Sequence, residues 1–254
     1  MAKIAVFDSG LGSLSIIKAI QKISKSEIIY FADQENYPYG VKSQVQLSKI
    51  IKKSIKLLEE KFSPDFIIVA SNTPSLMLNV ITKKIFDVKP PLQEAKKKSK
   101  TKQIGILATK SAISSKGLTQ YIKENNFPKK IKIFKISGSD LVDLVESGKF
   151  LSNKKYCQKI IKKILEQTIL KNNIDTITLS STHLLLLKPL LKKQYPKINF
   201  IDPSEIIAKK IFLKIKNNQS KKNSLKIFTS GNIKIFQRKL NKIGIKNNVN
   251  LFPF

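Results

Sequence analysis

The chain has 254 residues, enough to bury a full core as one large domain or two small ones, and 41% of them are hydrophobic, an ordinary share for a globular protein. One Cys and one His exclude an internal disulfide framework and a multi-cysteine or structural zinc site, and no apolar run is long enough for a membrane span. The 48 basic residues against 17 acidic ones give a formal net charge of +31, but Arg238 is the sole Arg and the lysines are spread over many helix faces, which excludes a specific nucleic-acid surface and leaves only weak, salt-sensitive adhesion to polyanions.

Residues 3–7 (KIAVF) read as the first strand, entered at once, so no signal peptide is expected. Asp8-Ser9-Gly10-Leu11-Gly12-Ser13 follows, then a helix over 14–22. Gly10 and Gly12 are expected to let the backbone bend toward a ligand. The stretch is neither a dinucleotide fingerprint, since Ser15 holds the place of a third Gly, nor a Walker A loop. Asp8 is either a helix cap or a partner for an ammonium group.

Residues 27–31 form the second strand and run into ADQENYPYG at 32–40, where Pro38-Tyr39-Gly40 is a turn displaying an aromatic ring. An amphipathic helix over 45–61 leads to a strand at 65–70 (DFIIVA), then the polar step Ser71-Asn72-Thr73 and a helix over 74–81 opened by Pro74. The Pro- and Lys-rich passage 82–102 reads as a helix end, a crossing and an exposed helix between two lobes.

Residues 103–108 (QIGILA) look like a second version of the first strand, with Thr109-Lys110-Ser111 at its end and a helix over 112–125. A strand at 130–136, a short helix at 140–147 carrying Glu146 and a long amphipathic helix at 153–171 containing Cys157 come next. The β-branched run 176–179 then stops at Ser180-Ser181-Thr182-His183 and turns into a helix from Leu184. A strand at 199–201, a helix from Ser204, a strand at 225–229, the turn Ser230-Gly231-Asn232 and a last helix complete the chain.

Strands alternate with helices, and the order strand, turn, helix, strand, helix, strand, Ser-x-Thr, helix occurs twice. The expected fold is α/β, with two pseudo-symmetric lobes, each a mainly parallel sheet flanked by helices: residues 1–98 with 205–254, and 99–204. Ligands of such sheets bind at the carboxyl ends of strands, where fresh helix N-termini offer N–H groups to anions. Lobes facing one another would enclose a site in the cleft between them, with Asp8, Ser9, Ser71, Asn72, Thr73, Ser181, Thr182 and His183 converging there. Hydroxyl residues at such turns also serve as plain N-caps; the matching elements favour a site.

FDSGLGSL at 7–14, the ADQxNxPYGxKS pattern at 32–43, ASNT at 70–73, DLVESG at 143–148, SSTH at 180–183 and FTSGN at 228–232 stand in an order that resembles the glutamate racemases of the cofactor-independent aspartate/glutamate racemase superfamily. The resemblance covers nearly the whole chain. It implies interconversion of L- and D-glutamate without a cofactor or metal, by two bases that work on opposite faces of the α-carbon. It also implies a cytoplasmic isomerase supplying D-glutamate as a peptidoglycan precursor, with a small acidic amino acid as partner, no specific nucleic acid, no membrane, and room for a homodimer.

In the family both bases are cysteines, immediately before the positions matching Asn72-Thr73 and Thr182-His183. This sequence has Ser71 and Ser181 there, and Cys157 replaces neither. A thiol becomes a usable base when its pKa falls from about 8.5. A hydroxyl is a far weaker acid and needs an adjacent base. By resemblance, Asp8 and Ser9 bind the amino acid, and Asp8 assists Ser71. Pro38, Tyr39 and Gly40 line the pocket, Asn72, Thr73 and Thr182 hold carboxylate oxygens, and Glu146 and His183 assist on the other face. The expected function is weak or altered glutamate racemisation; the alternative is a catalytically inactive binding protein for a small acidic amino acid or dicarboxylate. A hydrolytic triad of Ser181, His183 and Asp8 is disfavoured, because nucleophile and base stand only two residues apart.

Overall fold

The structure, a computed structural model, describes residues 1–78 and 80–253. Asn79, inside the helix expected over 74–81, and Phe254, at the end of the 205–254 segment, lie outside the described residues. The chain divides into two compact units, Met1–Val88 with Ser204–Phe254, and Lys89–Pro203.

The first unit begins β1 (Lys3–Asp8), α1 (Ser13–Ile23), β2 (Glu27–Ala32), α2 (Gln44–Phe62), β3 (Phe66–Val69), α3 (Asn72–Met77) and β4 (Ile85–Asp87). Two 3₁₀ turns, Gln34–Asn36 and Tyr39–Val41, shape the loop after β2. The start of α2 is fixed by a capping box: Ser43 Oγ accepts from Gln46 N–H at 3.3 Å and Gln46 Oε1 accepts from Ser43 N–H at 3.0 Å.

The second unit holds α4 (Leu92–Lys98), β5 (Gln103–Ala108), α5 (Lys110–Ser114), α6 (Lys116–Glu124), β6 (Lys132–Ser137), α7 (Ser139–Glu146), α8 (Lys149–Ser152), α9 (Lys154–Asn172), β7 (Thr176–Leu179), α10 (Leu184–Gln194) and β8 (Asn199–Ile201). The chain then returns to the first unit for α11 (Ser204–Ile215), β9 (Ser224–Thr229), α12 (Ile233–Lys242) and β10 (Val249–Leu251).

Both sheets are parallel throughout, ordered β10-β9-β2-β1-β3-β4 and β6-β5-β7-β8. The expected α/β fold of two parallel sheets flanked by helices is therefore what the chain adopts. The order β2-β1-β3-β4 is repeated by β6-β5-β7-β8. In each, the chain leaves the central strand to one side and returns on the other, which makes a switch point at the carboxyl ends of β1 and β3, and of β5 and β7. Alternate residues of the first sheet, among them Ala5, Phe7, Ile29, Phe31, Ile67 and Val69, join Leu47, Ile51 and Leu58 of α2 in one core, with Tyr39 and Phe252 packed into it.

Three details differ from the sequence expectation. The strands β4 and β10 are three residues each, too short to show a period in Lys-rich surroundings. The first unit ends at Val88, and α4 is not an exposed connector: Leu92 and Ala95 are fully buried, and Ala95 packs with Ile104 and Ile131 of the second unit. The helix expected over 112–125 is broken at Ser115, which ends α5 and caps α6 through Leu118 N–H at 3.0 Å.

Candidate active site

The strand register sets the two serines. In the first unit Phe7 pairs with Val69, and Ala70 N–H donates to Phe7 carbonyl at 2.8 Å; two residues beyond Val69 stands Ser71. In the second, Leu107 pairs with Leu179, and Ser180 N–H donates to Leu107 carbonyl at 2.8 Å; two residues beyond Leu179 stands Ser181. Both serines thus leave the third strand of the repeat at the same step, beside the end of its first strand.

In the first unit that neighbouring end is Asp8-Ser9, both buried, with Ser9 N–H donating to Asp8 Oδ1 at 2.7 Å. Ser71 is extended at φ −139°, half-buried, and its hydroxyl caps nothing. Helix α3 starts at Asn72, two residues before the expected Pro74, so Asn72 and Thr73 form its buried first turn. Asn72 Nδ2 donates to Val88 carbonyl at 2.7 Å, while its buried Oδ1 has no partner among the described residues.

The turn after β2 adds Tyr39, buried, flanked by exposed Pro38 and half-buried Gly40. Its hydroxyl donates to Asp33 Oδ2 at 2.9 Å. Burial first, and then the negative charges of Asp33 and Asp8, push the Tyr39 phenol well above its ordinary value, so it stays protonated and donates.

In the second unit Ser181, Thr182 and His183 are all buried, and α10 begins directly after them. His183 Nε2 lies 2.8 Å from Glu146 Oε1 at the end of α7, and both side chains are only 7% exposed. An ionised Glu146 accepts from Nε2–H, which orients the ring. No hydrogen bond joins Ser181 Oγ to His183 among the described residues. Thr109, Lys110 and Ser111, which echo Asp8-Ser9-Gly10 in sequence, spend their polar groups on local structure. Thr109 Oγ1 caps α5 through Ala112 N–H, and Lys110 N–H donates to Ser139 Oγ.

Cys157 lies on the buried face of α9, and burial pushes its thiol up, away from the range of a general base. No group of three or more His, Cys, Asp or Glu side chains among the described residues is arranged to hold a metal ion, and no described helix is long and apolar enough to cross a membrane.

No protein-family model matches the chain. A curated glutamate racemase of Aquifex pyrophilus is 31% identical over 236 residues, which is 89% of this chain and 87% of that protein. The chain belongs to the glutamate racemase family. The match is too long to lie within one unit. Solved glutamate racemases share the fold: one from Bacillus anthracis superposes with a TM-score of 0.84 at 24% identity, covering 98% of this chain and 97% of its own. The enzyme of Escherichia coli, solved with L-glutamate and an activator, does so at 0.82 and 22%, covering 98% of each.

Asp33, Gln34 and Ser230 lie in the ADQ and TSG motifs, and their roles emerge only in the folded chain. Asp33 gathers bonds from Tyr39, Asn36 and Ser230, and Gln34 Nε2 donates to Ser9 carbonyl at 2.5 Å. These contacts join segments remote in sequence, and no local pattern announces them.

Proposed function

We propose that this racemase-family protein binds glutamate and moves its α-proton slowly, with the hydroxyls of Ser71 and Ser181 standing where the family's chemistry uses thiols. The observation that carries the reading is the chain-long relatedness to glutamate racemases, together with two serines at the same register step of two repeated sheets. In this reading Asp8 and Asn72 Oδ1, an unfilled buried acceptor, take the α-ammonium, while Ser9, Thr73 and Thr182 donate to carboxylate oxygens. The expected carboxylate role of Asn72 is narrowed, because one of its N–H bonds is already spent on Val88. Pro38, Tyr39 and Gly40 wall the pocket.

Racemisation requires one group to take the α-proton from one face and a second, already protonated, to return a proton to the other. A serine takes the α-proton only when a neighbour removes its own, and as the proton donor its hydroxyl is a far weaker acid than a thiol. What supports slow turnover is that neither hydroxyl has such a neighbour in hydrogen-bond contact among the described residues, and that His183 Nε2 is committed to Glu146. Glu146 and His183 then act as an orienting pair on the Ser181 side, and Asp8 assists on the Ser71 side. A cytoplasmic location and a supply of D-glutamate for peptidoglycan go with this reading.

The test is hydrogen exchange at the α-carbon of L- and D-glutamate in deuterated water with protein in excess. Slow wash-in of deuterium from either isomer supports the reading; tight glutamate binding with no exchange from either would leave a binding protein instead.

A further inference from the structure

The end of β9 closes over the start of the Tyr39 turn. Ser230 N–H and Thr229 Oγ1 both donate to Ala32 carbonyl, at 3.1 and 3.2 Å, and Gly231 N–H donates to Thr229 Oγ1 at 3.1 Å. Ser230 Oγ donates to Asp33 Oδ1 at 3.2 Å and accepts from Glu35 N–H at 3.1 Å, so both sides of one hydroxyl are used to hold the turn. Gly231 lies against the same turn so closely that a Cβ there would be 2.7 Å from Gln34 Cβ.

Asp33 is 2% exposed, and its hydrogen bonds come from the neutral groups of Tyr39, Asn36 and Ser230; it forms no ion pair among the described residues. Those bonds fix its orientation. With Oδ1 held by Ser230, Oδ2 is aimed at the Tyr39 hydroxyl.

We propose that Ser230 is a positioning residue: acting through Asp33 from 197 residues away, it sets the Tyr39 hydroxyl and thereby the affinity of the pocket for its amino acid. The inference rests on Tyr39 and Ser9 lining that pocket, as proposed above. Serine suits this place because its hydroxyl both donates and accepts there.

The test is a double-mutant cycle in the full chain with Tyr labelled at ¹³Cζ. The Tyr39 resonance is assigned by its loss in Tyr39→Phe, and L-glutamate affinity is read by titration calorimetry. Ser230→Ala shifts the Tyr39 resonance, leaves the other labelled tyrosines in place and weakens glutamate binding about tenfold, the effect of losing one hydrogen bond to a charged group. In the Tyr39→Phe background the same change weakens binding by less than about twofold, because the group it positions is gone. Asp33→Asn, which keeps the side-chain shape and removes the charge, moves the same resonance and serves as the second arm. An unmoved Tyr39 resonance in both variants, or a full Ser230→Ala effect in the Tyr39→Phe background, overturns the inference. Failure of the unmodified protein to bind L-glutamate would overturn the functional reading instead, while the resonance still decides the coupling.

Discussion

His183 Nε2 and Glu146 Oε1 lie 2.8 Å apart in a setting where each side chain is only 7% exposed, which makes their bond a structural tie between the start of α10 and the end of α7. Glu146→Gln keeps an acceptor in place and is expected to cost about 0.5–1.5 kcal/mol. Glu146→Ala removes the buried partner of His183 Nε2 and is expected to cost about 1–3 kcal/mol. Urea unfolding of both variants checks the order; an alanine variant no less stable than the glutamine variant would show the pair to be incidental.

Gly231→Ala drives a Cβ to 2.7 Å from Gln34 Cβ, which is not a flexible side-chain tip, so the backbone of the turn has to move. The expected cost is about 1–3 kcal/mol of overpacking. It comes with weaker glutamate binding, since Gln34 also donates to Ser9 carbonyl. A variant with unchanged unfolding midpoint and unchanged affinity contradicts the close packing.

Asp175, just before β7, ties the α4–β5 connection to that strand. Burial by itself would raise its carboxyl, but hydrogen bonds from Ser99 Oγ at 2.7 Å, Thr101 N–H at 2.9 Å and Lys100 N–H at 2.6 Å outweigh that and hold it below its ordinary value of 3.8. A carboxyl lowered in the folded state stabilises above its unfolded pKa, and the contribution is lost as pH falls through the folded value. Acid titration of the melting temperature should therefore show a loss below about pH 4 that is smaller in Asp175→Asn. Because Asp175 is partly exposed, the difference is expected to be about 1 kcal/mol. Identical acid profiles would remove Asp175 from the account.

A formal charge of +31 repels itself across the whole surface. Raising salt from about 0.01 to about 0.1 M shortens the screening length from about 30 to about 10 Å and is expected to raise the melting temperature. A flat or falling melting temperature would mean that the lysines are already neutralised by local partners.

The framework of the fold was legible because β1, β3, β5 and β7 are largely apolar runs that stop at polar residues and lead into helices. The repeat followed from finding that step more than once. The three-residue strands β4 and β10 were not legible, since each contributes a single buried residue in sequence that otherwise reads as surface. Nor was the inward face of α4, where Leu92 and Ala95 are hidden in a passage dominated by Lys and Pro. The serines at 71 and 181 could be read as a matched pair from local sequence, because register follows from each strand alone. The Ser230–Asp33–Tyr39 chain could not, because it closes only when β9 pairs with β2.

In the proposed function, hydroxyls stand in a glutamate-binding pocket where the family's chemistry uses two thiols. It is tested most directly by measuring racemisation of L- and D-glutamate by the unmodified protein and by the Ser71→Cys, Ser181→Cys double variant in parallel, with each single variant followed by α-deuterium exchange. The unmodified protein is expected to be at least about 10²-fold slower than the double variant, the cost of losing one positioned acid–base group. Each single variant restores exchange on one face only. Turnover by the unmodified protein at an ordinary enzymatic rate, about 1 s⁻¹ or faster, would contradict the proposed function.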